Sequence, residues 1–320
     1  MSKLQIGLLS ETEALKRLLY RLPEQHAQRT FIEKEIYKSA AGKRGEERLE
    51  QKVAEFHVDG DYKFLRNVTL AIGDWKVQID GLLLTDRGAI VIESKNISGK
   101  LLFDAANGEF SRTDRDGMRT VMNDPTSQLN KHVRFMDQFF KSQKIKLPVK
   151  GLVVFTSKEC EFLTKPKSNY VCKTYQLVDY LLHIHQTLPM ESTQINLLKI
   201  SKLLQKHRAP YKRVPLCHQF LIDKADLRTG ILCTQCKQHT LQKKKRVGWI
   251  CSRCKTVDSD AFKLAVQEYF SLVDIELNNR RLREFCQISS VYVTSRLLGT
   301  MELEQNGALR NRVYQLKKKD

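Results

Sequence analysis

Residues 78–96 read QIDGLLLTDRGAIVIESKN, and this stretch decides the fold of the region around it. Two apolar runs flank the turn-forming sequence TDRG, whose final glycine favours the positive φ that many hairpin loops need. The second run, AIVI, is continuous and is therefore typical of a strand that is buried on both faces. The stretch predicts a β-hairpin whose second strand lies inside a sheet.

The hairpin carries two acids whose register can be predicted. A loop of two or four residues pairs positions whose numbers sum to 173, so that Asp80 faces Glu93 and their Cβ atoms lie about 4.5–5.5 Å apart. A three-residue loop with a bulge at Gly88 gives a sum of 174 and places the two carboxylates on opposite faces, unless another bulge restores the alignment. Lys95 projects from the same face as Glu93, because side chains alternate along a strand.

Two carboxylates and a lysine on one face suit the metal-assisted hydrolysis of a phosphodiester. Carboxylate oxygens are the ligands that Mg²⁺ and Mn²⁺ prefer, and the bound ion activates water and neutralises developing charge. A nearby ammonium group can stabilise the transition state. Such acids and lysines are often only solvated charges on an edge strand, but charge at the end of a buried strand is costly. The pattern predicts a nuclease centre at Asp80, Glu93 and Lys95.

The chain as a whole has the composition of a large soluble protein. Its 320 residues, 41% of them hydrophobic, suffice for two or three domains. No apolar run reaches the roughly 18 residues of a membrane span, and residues 1–22 lack the apolar core of a signal peptide. We therefore expect a cytoplasmic protein without a membrane partner. The sequence contains no G-x-x-x-x-G-K-[ST] motif, so we expect no ATP site. Nothing in it indicates an oligomer, although residues 272–282 could form a dimer surface.

Four of the eight cysteines form two pairs with the spacing of a zinc ribbon. The pairs Cys233-x-x-Cys236 and Cys251-x-x-Cys254 are separated by fourteen residues, and each pair can supply two thiolates to a tetrahedral ion. Four thiolates leave no open coordination position, so we predict a structural Zn²⁺. The other four cysteines are scattered, which favours reduced thiols over the disulfide framework of a small secreted protein.

The net charge of +19 is concentrated around these cysteines. Between residues 201 and 256 the sequence has fourteen Lys and Arg and two acids, which is typical of a phosphate-binding surface but also of a merely solvated one. A tetrabasic run and a tryptophan between the cysteine pairs could contact phosphates and bases, or the run could be a hairpin tip without a partner. The candidate nucleic-acid contacts are Lys243, Lys244, Lys245, Arg246 and Trp249.

The C-terminal part contains a helix-turn-helix pattern. Residues 278–288 and 291–301 predict two short helices, and residues 312–316 could belong to the wing of a winged helix. Such a pair of helices is also common in ordinary helical packing. The residues expected on the buried face are Val293, Leu297 and Met301. The residues expected to face a groove are Tyr292, Thr294, Ser295 and Arg296, of which Tyr292 and Arg296 are the candidate nucleic-acid contacts.

The rest of the chain supplies a scaffold of alternating helices and strands. Helices are predicted at 11–22, 24–40, 42–56 and 124–141, strands at 62–70 and 151–155, and an inserted hairpin or loop at 99–122. Around the hairpin, the resulting order is helix, three strands, helix, strand.

Four segments taken together resemble the successive motifs of the nuclease-related domain (NERD) family. They are GKRGE (42–46), QIDG (78–81), IESKNISG (92–99) and NDPTSQ (123–128). That family is placed in the PD-(D/E)xK, or restriction-endonuclease-like, superfamily, so the resemblance implies an αβββαβ core within residues 42–157. Phe110 stands where the family leads us to expect a tryptophan. The ribbon resembles the C4 zinc finger of bacterial topoisomerases, a nucleic-acid-binding module.

The resemblance implies a role for each matching residue. Asp80 and Glu93 would be the main metal ligands, and Lys95 would be the catalytic lysine. Glu46 would approach the metal site from the first helix, and Gln128 would orient water or substrate from the second. The assignments of Glu46 and Gln128 follow from the family alone.

These observations together predict an α/β protein with four segments. They are a helical N-terminal extension (1–41), a nuclease-like domain with a helical tail (42–208), a basic zinc ribbon (209–258) and a helix-turn-helix-like domain (259–320). We expect a nuclease that uses Mg²⁺ or Mn²⁺ and acts on nucleic acid, DNA rather than RNA. The alternatives are a non-catalytic nucleic-acid-binding protein and a helix-turn-helix regulator with an unused nuclease core. Convergence of Asp80, Glu93 and Lys95 is required only for catalysis.

Overall fold

The computed structural model describes residues 3–164, 170–189, 196–209, 213–237, 239–244, 247–308 and 311–317. The chain divides into two compact units. The central unit is Ala41–Tyr211, and the terminal unit combines Met1–Ala40 with Lys212–Asp320. Among the described residues, no helix combines the length and the apolar character that a membrane span requires.

Helices and strands alternate through most of the chain, which confirms the mixed α/β class. The helices are α1 (Glu11–Arg21), α2 (Arg29–Val53), α3 (Pro125–Ser142), α4 (Leu177–Thr187), α5 (Leu197–Lys206), α6 (Leu216–Gln219), α7 (Ala261–Leu272), α8 (Asn279–Cys286) and α9 (Val291–Gly299). The strands are β1 (Leu4–Gln5), β2 (Tyr62–Ile72), β3 (Trp75–Thr85), β4 (Ala89–Lys95), β5 (Gly99–Asp104), β6 (Glu109–Thr113), β7 (Arg119–Met122), β8 (Val149–Phe155), β9 (Cys160–Phe162), β10 (Val171–Lys173), β11 (Leu241–Lys244), β12 (Gly248–Cys251), β13 (Val257–Asp258), β14 (Met301–Asn306) and β15 (Val313–Leu316).

Helix α2 differs from the sequence prediction. Two helices, at 24–40 and 42–56, were expected, but a single helix begins at Arg29 and continues to Val53. Gly42 weakens a helix without breaking it, and the strong breaker Pro23 lies before its start. The two predicted helices are therefore one.

A five-stranded sheet forms the centre of the central unit, in the order β10-β8-β4-β3-β2. Strands β2, β3 and β4 pair antiparallel, while β4, β8 and β10 pair parallel. Apolar side chains from α3 and α5 pack on one face of this sheet, and those from the end of α2 and from α4 pack on the other. Residues 89–92 of β4 are fully buried between these layers, as the continuous apolar run predicted.

The hairpin of β3 and β4 has the even register. Gly81 pairs with Ile92 and Leu84 pairs with Ala89, so that facing positions sum to 173. The alternative with a bulge at Gly88 is therefore wrong. The φ of Gly88 is not positive, so the expected reason for a glycine in this turn does not apply. A Cβ atom at this position would lie 2.6 Å from the Pro148 carbonyl oxygen, so close packing requires the glycine.

The segment between β4 and α3 is an inserted sheet. The sequence predicted a hairpin or loop at 99–122, whereas the chain forms β5, β6 and β7, which β9 joins in a four-stranded sheet of order β7-β6-β5-β9. Phe110 is buried, and its ring centroid lies 4.6 Å from that of Phe103. Leaving the insertion aside, the order α2, β2, β3, β4, α3, β8 follows. Its assignment to the restriction-endonuclease-like core stays a prediction.

The terminal unit has one apolar core. Buried side chains of α1, of strands β11 and β12, and of α7, α8, α9 and β14 all contribute to it. Side chains from the three segments predicted as separate domains, 1–41, 209–258 and 259–320, therefore share one core, and the predicted domain boundaries stay a prediction. Their apolar faces cover one another, because none of them is large enough to bury its own.

Helices α8 and α9 are joined by a turn and followed by the antiparallel hairpin of β14 and β15. Of the residues predicted on the buried face, Met301 is buried but begins β14, and within α9 the buried positions lie one residue later than predicted. Val293 and Leu297 are only half-buried, and Thr294 and Leu298 are fully buried. Thr294 therefore does not face a groove, and its hydroxyl donates to the Ser290 carbonyl at 3.1 Å. The winged-helix assignment stays a prediction.

Candidate active site

Three side chains of the β3–β4 hairpin meet at the C-terminal end of β4. The Glu93 carboxylate is 1% exposed, and its Oε1 accepts a hydrogen bond from Lys95 Nζ at 2.7 Å. The backbone pairing of β3 with β4 stops one position before Asp80. At that point Asp80 Oδ2 accepts the Ser94 backbone N–H at 2.9 Å. The open end of the hairpin therefore holds two carboxylates and a lysine side by side.

Asp80 has an unusual pKa. Burial raises it, the nearby Glu93 carboxylate raises it further, and the hydrogen bond from Ser94 and the charge of Lys95 lower it in part, so that the pKa of Asp80 is about 6. Glu46 adds a smaller increase. Burial and the repulsion between the two carboxylates both disfavour the ionised form, so a bound cation would relieve part of this cost.

Helix α3 contributes two side chains to the same place. Gln128 Oε1 accepts a hydrogen bond from Lys95 Nζ at 2.9 Å. His132, one turn later, is buried, and its Nδ1 lies 3.2 Å from Glu93 Oε2. Asp124 caps the helix by accepting the Thr126 N–H at 2.8 Å, which fixes its first turn. Sequence reasoning missed His132, although residues four apart share a helix face and Gln128 was a candidate.

Helix α2 brings Glu46 to the site through close packing of the preceding glycine. A Cβ atom on Gly45 would lie 2.7 Å from Thr156 Oγ1 and 2.9 Å from Asn96 Cβ. This contact places α2 against the ends of β8 and β4. Glu46 Oε2 then accepts a hydrogen bond from Asn67 Nδ2 at 3.3 Å.

Asn67 is a second residue that sequence reasoning missed. It lies in β2 between the paired residues Arg66 and Val68, facing Asp80, and has a left-handed φ of 48°. Asparagine adopts this conformation more readily than other residues with side chains. An asparagine inside a predicted strand, where it is uncommon, was the available signal. A left-handed φ at a residue other than glycine is frequent at functional sites, and the Asn67 side chain contacts Glu46.

The structure thus brings together all five predicted catalytic residues. Asp80 and Glu93 are the residues that could hold a divalent ion, because both offer oxygen donors of the kind that Mg²⁺ and Mn²⁺ require. The two carboxylates lie side by side at the open end of the hairpin, so the donor set fits a cation. The residues that converge are Glu46, Asp80, Glu93, Lys95 and Gln128.

The four predicted zinc ligands form a second candidate metal centre. Their Sγ atoms all lie within 4.8 Å of one another. The distance from Cys233 Sγ to Cys254 Sγ is 3.7 Å, and that from Cys236 Sγ to Cys251 Sγ is 3.9 Å. Four sulfurs bound tetrahedrally at about 2.3 Å from Zn²⁺ are separated by about 3.8 Å. The cluster could therefore hold a metal such as zinc.

The backbone around these cysteines repeats itself. Lys237 and Lys255 follow the second cysteine of each pair, and both have a φ of 61°. Each donates its backbone N–H to the carbonyl of the first cysteine of its pair, at 2.9 and 3.2 Å. The two pairs are thus equivalent turns that aim their thiols at one point.

The predicted nucleic-acid contacts have different surroundings. Lys243 and Lys244 lie on the exposed strand β11, and Lys245 and Arg246 lie outside the described residues. Trp249 is only 7% exposed, and its ring stacks on that of Phe262 with a centroid distance of 6.2 Å. A ring buried in this way does not stack on a base, so Trp249 belongs to the core.

The two candidates on α9 are accessible. Tyr292 is 87% exposed, and Arg296 is exposed one turn later. Ser295, also expected at the groove, accepts a hydrogen bond from Asn279 Nδ2 at 2.8 Å, which links α9 to α8. Contact of Tyr292 and Arg296 with nucleic acid stays a prediction.

Comparison with known proteins gives one match. No curated protein and no solved structure matches the chain, and the resemblance of the ribbon to a topoisomerase zinc finger stays a prediction. Residues 41–156 match the model of the family described as nuclease-related domain. This segment contains every residue of the candidate active site, so the resemblance to the nuclease-related domain family is confirmed for the part of the chain that carries the site.

Proposed function

We propose that the central unit is a divalent-metal-dependent nuclease that hydrolyses phosphodiester bonds, in DNA more readily than in RNA. The convergence of Asp80, Glu93, Lys95 and Gln128 at one end of the sheet carries this proposal. The match of residues 41–156 to the nuclease-related domain supports it. A binding protein without catalysis has no need for this convergence.

Asp80 and Glu93 would hold the Mg²⁺ or Mn²⁺ ion. When bound, a divalent ion lowers the pKa of a water molecule and neutralises charge on the phosphate. The two carboxylates are pre-positioned for it, Asp80 by the Ser94 N–H and Glu93 by the Lys95 ammonium. Glu46, which is exposed and raises the pKa of Asp80 slightly, would add a further negative charge near this site.

Lys95 would contact the scissile phosphate. Its ammonium group has three hydrogens, of which two are directed to Glu93 Oε1 and Gln128 Oε1. Its side chain is 25% exposed, so the third hydrogen can reach a phosphate oxygen from solvent. Gln128 keeps both hydrogens of its own amide group for water or substrate. The hydrogen bonds thus orient the lysine before substrate arrives, which favours stabilisation of the transition state.

The terminal unit would supply affinity for nucleic acid. We propose that the four cysteines hold a structural Zn²⁺, since their sulfur spacing fits a tetrahedral ion. Lys243 and Lys244 on β11, and Tyr292 and Arg296 on α9, would contact phosphates and bases from exposed positions. Binding through such groups depends on salt and hardly on sequence.

The test is cleavage of labelled single- and double-stranded DNA and RNA in Mg²⁺ or Mn²⁺. Glu93→Ala and Lys95→Ala proteins are compared with the wild type and with Glu161→Gln, which changes an exposed acid on β9. Binding to the same substrates is measured as a function of salt. We expect cleavage by the wild type and by Glu161→Gln, a loss of at least about 100-fold in the two site variants, and binding that persists in all four.

The opposite result would identify the alternative function. If no substrate is cleaved and all four proteins share tight, salt-dependent binding, the chain is a non-catalytic nucleic-acid-binding protein. Preference for one defined sequence in that experiment would indicate a helix-turn-helix regulator.

A further inference from the structure

Glu93 has one carboxylate oxygen that the proposed chemistry leaves without a protein partner. Oε1 accepts the hydrogen bond from Lys95, while Oε2 is buried and has no hydrogen-bond partner within the described part of the chain. A buried, unpaired carboxylate oxygen is costly, because it has lost its water without gaining a partner. A group that can satisfy this oxygen is therefore expected next to it.

His132 is that group. Its Nδ1 lies 3.2 Å from Glu93 Oε2, and this nitrogen too is buried without a hydrogen-bond partner among the described residues. Two unpaired polar atoms thus face each other within hydrogen-bond distance, although their angle is not that of a hydrogen bond. A small rotation about the terminal torsion of either side chain, which is soft, would let Nδ1–H donate to Oε2.

The position of His132 in α3 argues against a role in packing alone. The neighbouring buried positions of this helix are apolar, among them Leu129, Phe135 and Met136. An imidazole in such a row leaves polar atoms to be satisfied, and an apolar residue of similar volume would not. His132 lies one turn after Gln128, so the same face of α3 reaches Lys95 and Glu93.

We propose that His132 is a positioning residue, which holds Glu93 Oε2 so that the carboxylate keeps the orientation required to bind the divalent ion. This inference rests on the proposed function of the site. With His132 at Oε2 and Lys95 at Oε1, the carboxylate is fixed at both oxygens, and Oε1 keeps lone-pair capacity for the ion. Hydrogen-bond partners of metal ligands typically contribute 10–100-fold to metal affinity.

The test measures Mn²⁺ binding to the full chain without nucleic acid, by electron paramagnetic resonance. Mn²⁺ binding that is lost in the Asp80→Asn protein is assigned to the site of Asp80 and Glu93. His132→Leu keeps the volume but removes the donor, and His132→Asn places an N–H near the position of Nδ1. We expect His132→Leu to weaken Mn²⁺ binding by about 10–100-fold, and His132→Asn to stay within a few-fold of the wild type.

Kinetics provide the second readout. If the role is positioning, excess Mn²⁺ restores kcat of His132→Leu, and KM for nucleic acid stays unchanged. Thermal unfolding of each variant is measured to establish that it is folded. Should His132→Leu fail to fold, His132→Met, with a more adaptable apolar side chain, takes its place.

Three results would overturn the proposal. Wild-type Mn²⁺ affinity in a folded His132→Leu protein would refute it and leave the nuclease proposal intact. Equal losses in His132→Leu and His132→Asn would show that His132 acts through packing. Absence of Asp80-dependent Mn²⁺ binding in the wild type would refute the proposed function itself, and the positioning role would fail with it.

Discussion

Asp80 is the residue at which folding and the proposed chemistry oppose each other. Its carboxylate is enclosed beside Glu93, and burial together with the charge of Glu93 raises its pKa to about 6. Folding thus shifts Asp80 towards its protonated form relative to the unfolded chain, whereas metal binding requires the ionised form. Residues of this kind are retained for function at the expense of stability.

Replacing Asp80 by asparagine is expected to stabilise the central unit. Between pH 4 and pH 6 the ionisation of Asp80 increasingly destabilises the folded state, because the folded pKa of about 6 lies above the ordinary value of 3.8. Above pH 6 this penalty is constant. Asparagine avoids it and can still accept the Ser94 N–H. We expect Asp80→Asn to raise the free energy of unfolding by about 1–3 kcal/mol at pH 7.5, and by nearly nothing below pH 4.

Tryptophan fluorescence can follow the unfolding of the central unit separately. It has two tryptophans, Trp75 in the central unit and Trp249 in the terminal unit. In a Trp249→Phe background, the fluorescence of Trp75 reports denaturant unfolding of the central unit. Asp104→Asn is the control, because hydrogen bonds from Asn107 lower the pKa of this exposed acid. Stabilisation by both substitutions would show that the burial of Asp80 is not the cause.

The sequence predicted those site residues whose contacts are with residues close to them in the chain. Asp80 and Glu93 follow from the hairpin register, which two apolar runs and a four-residue turn specify. His132 and Asn67 were missed, because their partners come from other elements. Glycine, histidine and asparagine each have several structural roles, and the role at a given position depends on tertiary contacts.

The position of α2 against the sheet depends on one of its two glycines. Gly42 and Gly45 lie in the same helix and look alike in the sequence. A Cβ atom on Gly42 would meet nothing within 4 Å, whereas one on Gly45 would collide with Thr156 and Asn96. Gly45 alone is therefore required for the helix to reach the ends of β4 and β8. Family resemblance, not periodicity, was the source of this motif.

The two glycines form a matched pair for mutation. Gly45→Ala should push α2 away from the sheet, destabilise the central unit by about 1–3 kcal/mol and lower cleavage, because Glu46 and Asn67 lose their relative positions. Gly42→Ala should stabilise the helix by about 0.5–1 kcal/mol and leave cleavage unchanged. Denaturant unfolding and initial cleavage rates measure both effects. Equal behaviour of the two variants would refute the packing role of Gly45.

Contacts between residues far apart in the sequence connect the helices of the terminal unit. Its helices α1 and α7 are separated by more than two hundred residues, yet Arg17 and Arg21 of α1 both bind Glu268 of α7 in the buried core. No local pattern indicates such a contact. Composition located the cysteine pairs and the basic stretch, but not the apolar faces that cover each other. In the central unit the pairing of β3 with β4 was predictable, because a four-residue turn joins them.

Loss of Glu268 is expected to destabilise the terminal unit strongly. Glu268→Gln leaves the charges of Arg17 and Arg21 buried without a counter-ion, which typically costs 3–5 kcal/mol. The exposed pair of Arg280 and Glu284 on α8 is the control, and Glu284→Gln should change stability by less than about 0.5 kcal/mol. Unfolding followed through Trp249 in a Trp75→Phe background measures both. Similar effects would show that burial of the triad contributes little.

Metal removal tests the unity of the terminal unit. Cys233 and Cys251 belong to the same buried cluster as Leu15 and Leu18 of α1, and a structural zinc site can contribute roughly 10–16 kcal/mol to the folding of its surroundings. Chelation should therefore lower the hydrogen-exchange protection of α1, far from the cysteines in sequence, together with that of β11 and β12.

Amides of β4, in the central unit, provide the reference in the same samples. If α1 keeps its protection while β11 and β12 lose theirs, the ribbon folds independently of α1, and the four-segment organisation expected from the sequence is the better description. If α1, β11 and β12 lose protection together, zinc stabilises a single cooperative unit assembled from both ends of the chain, because their buried side chains share one core.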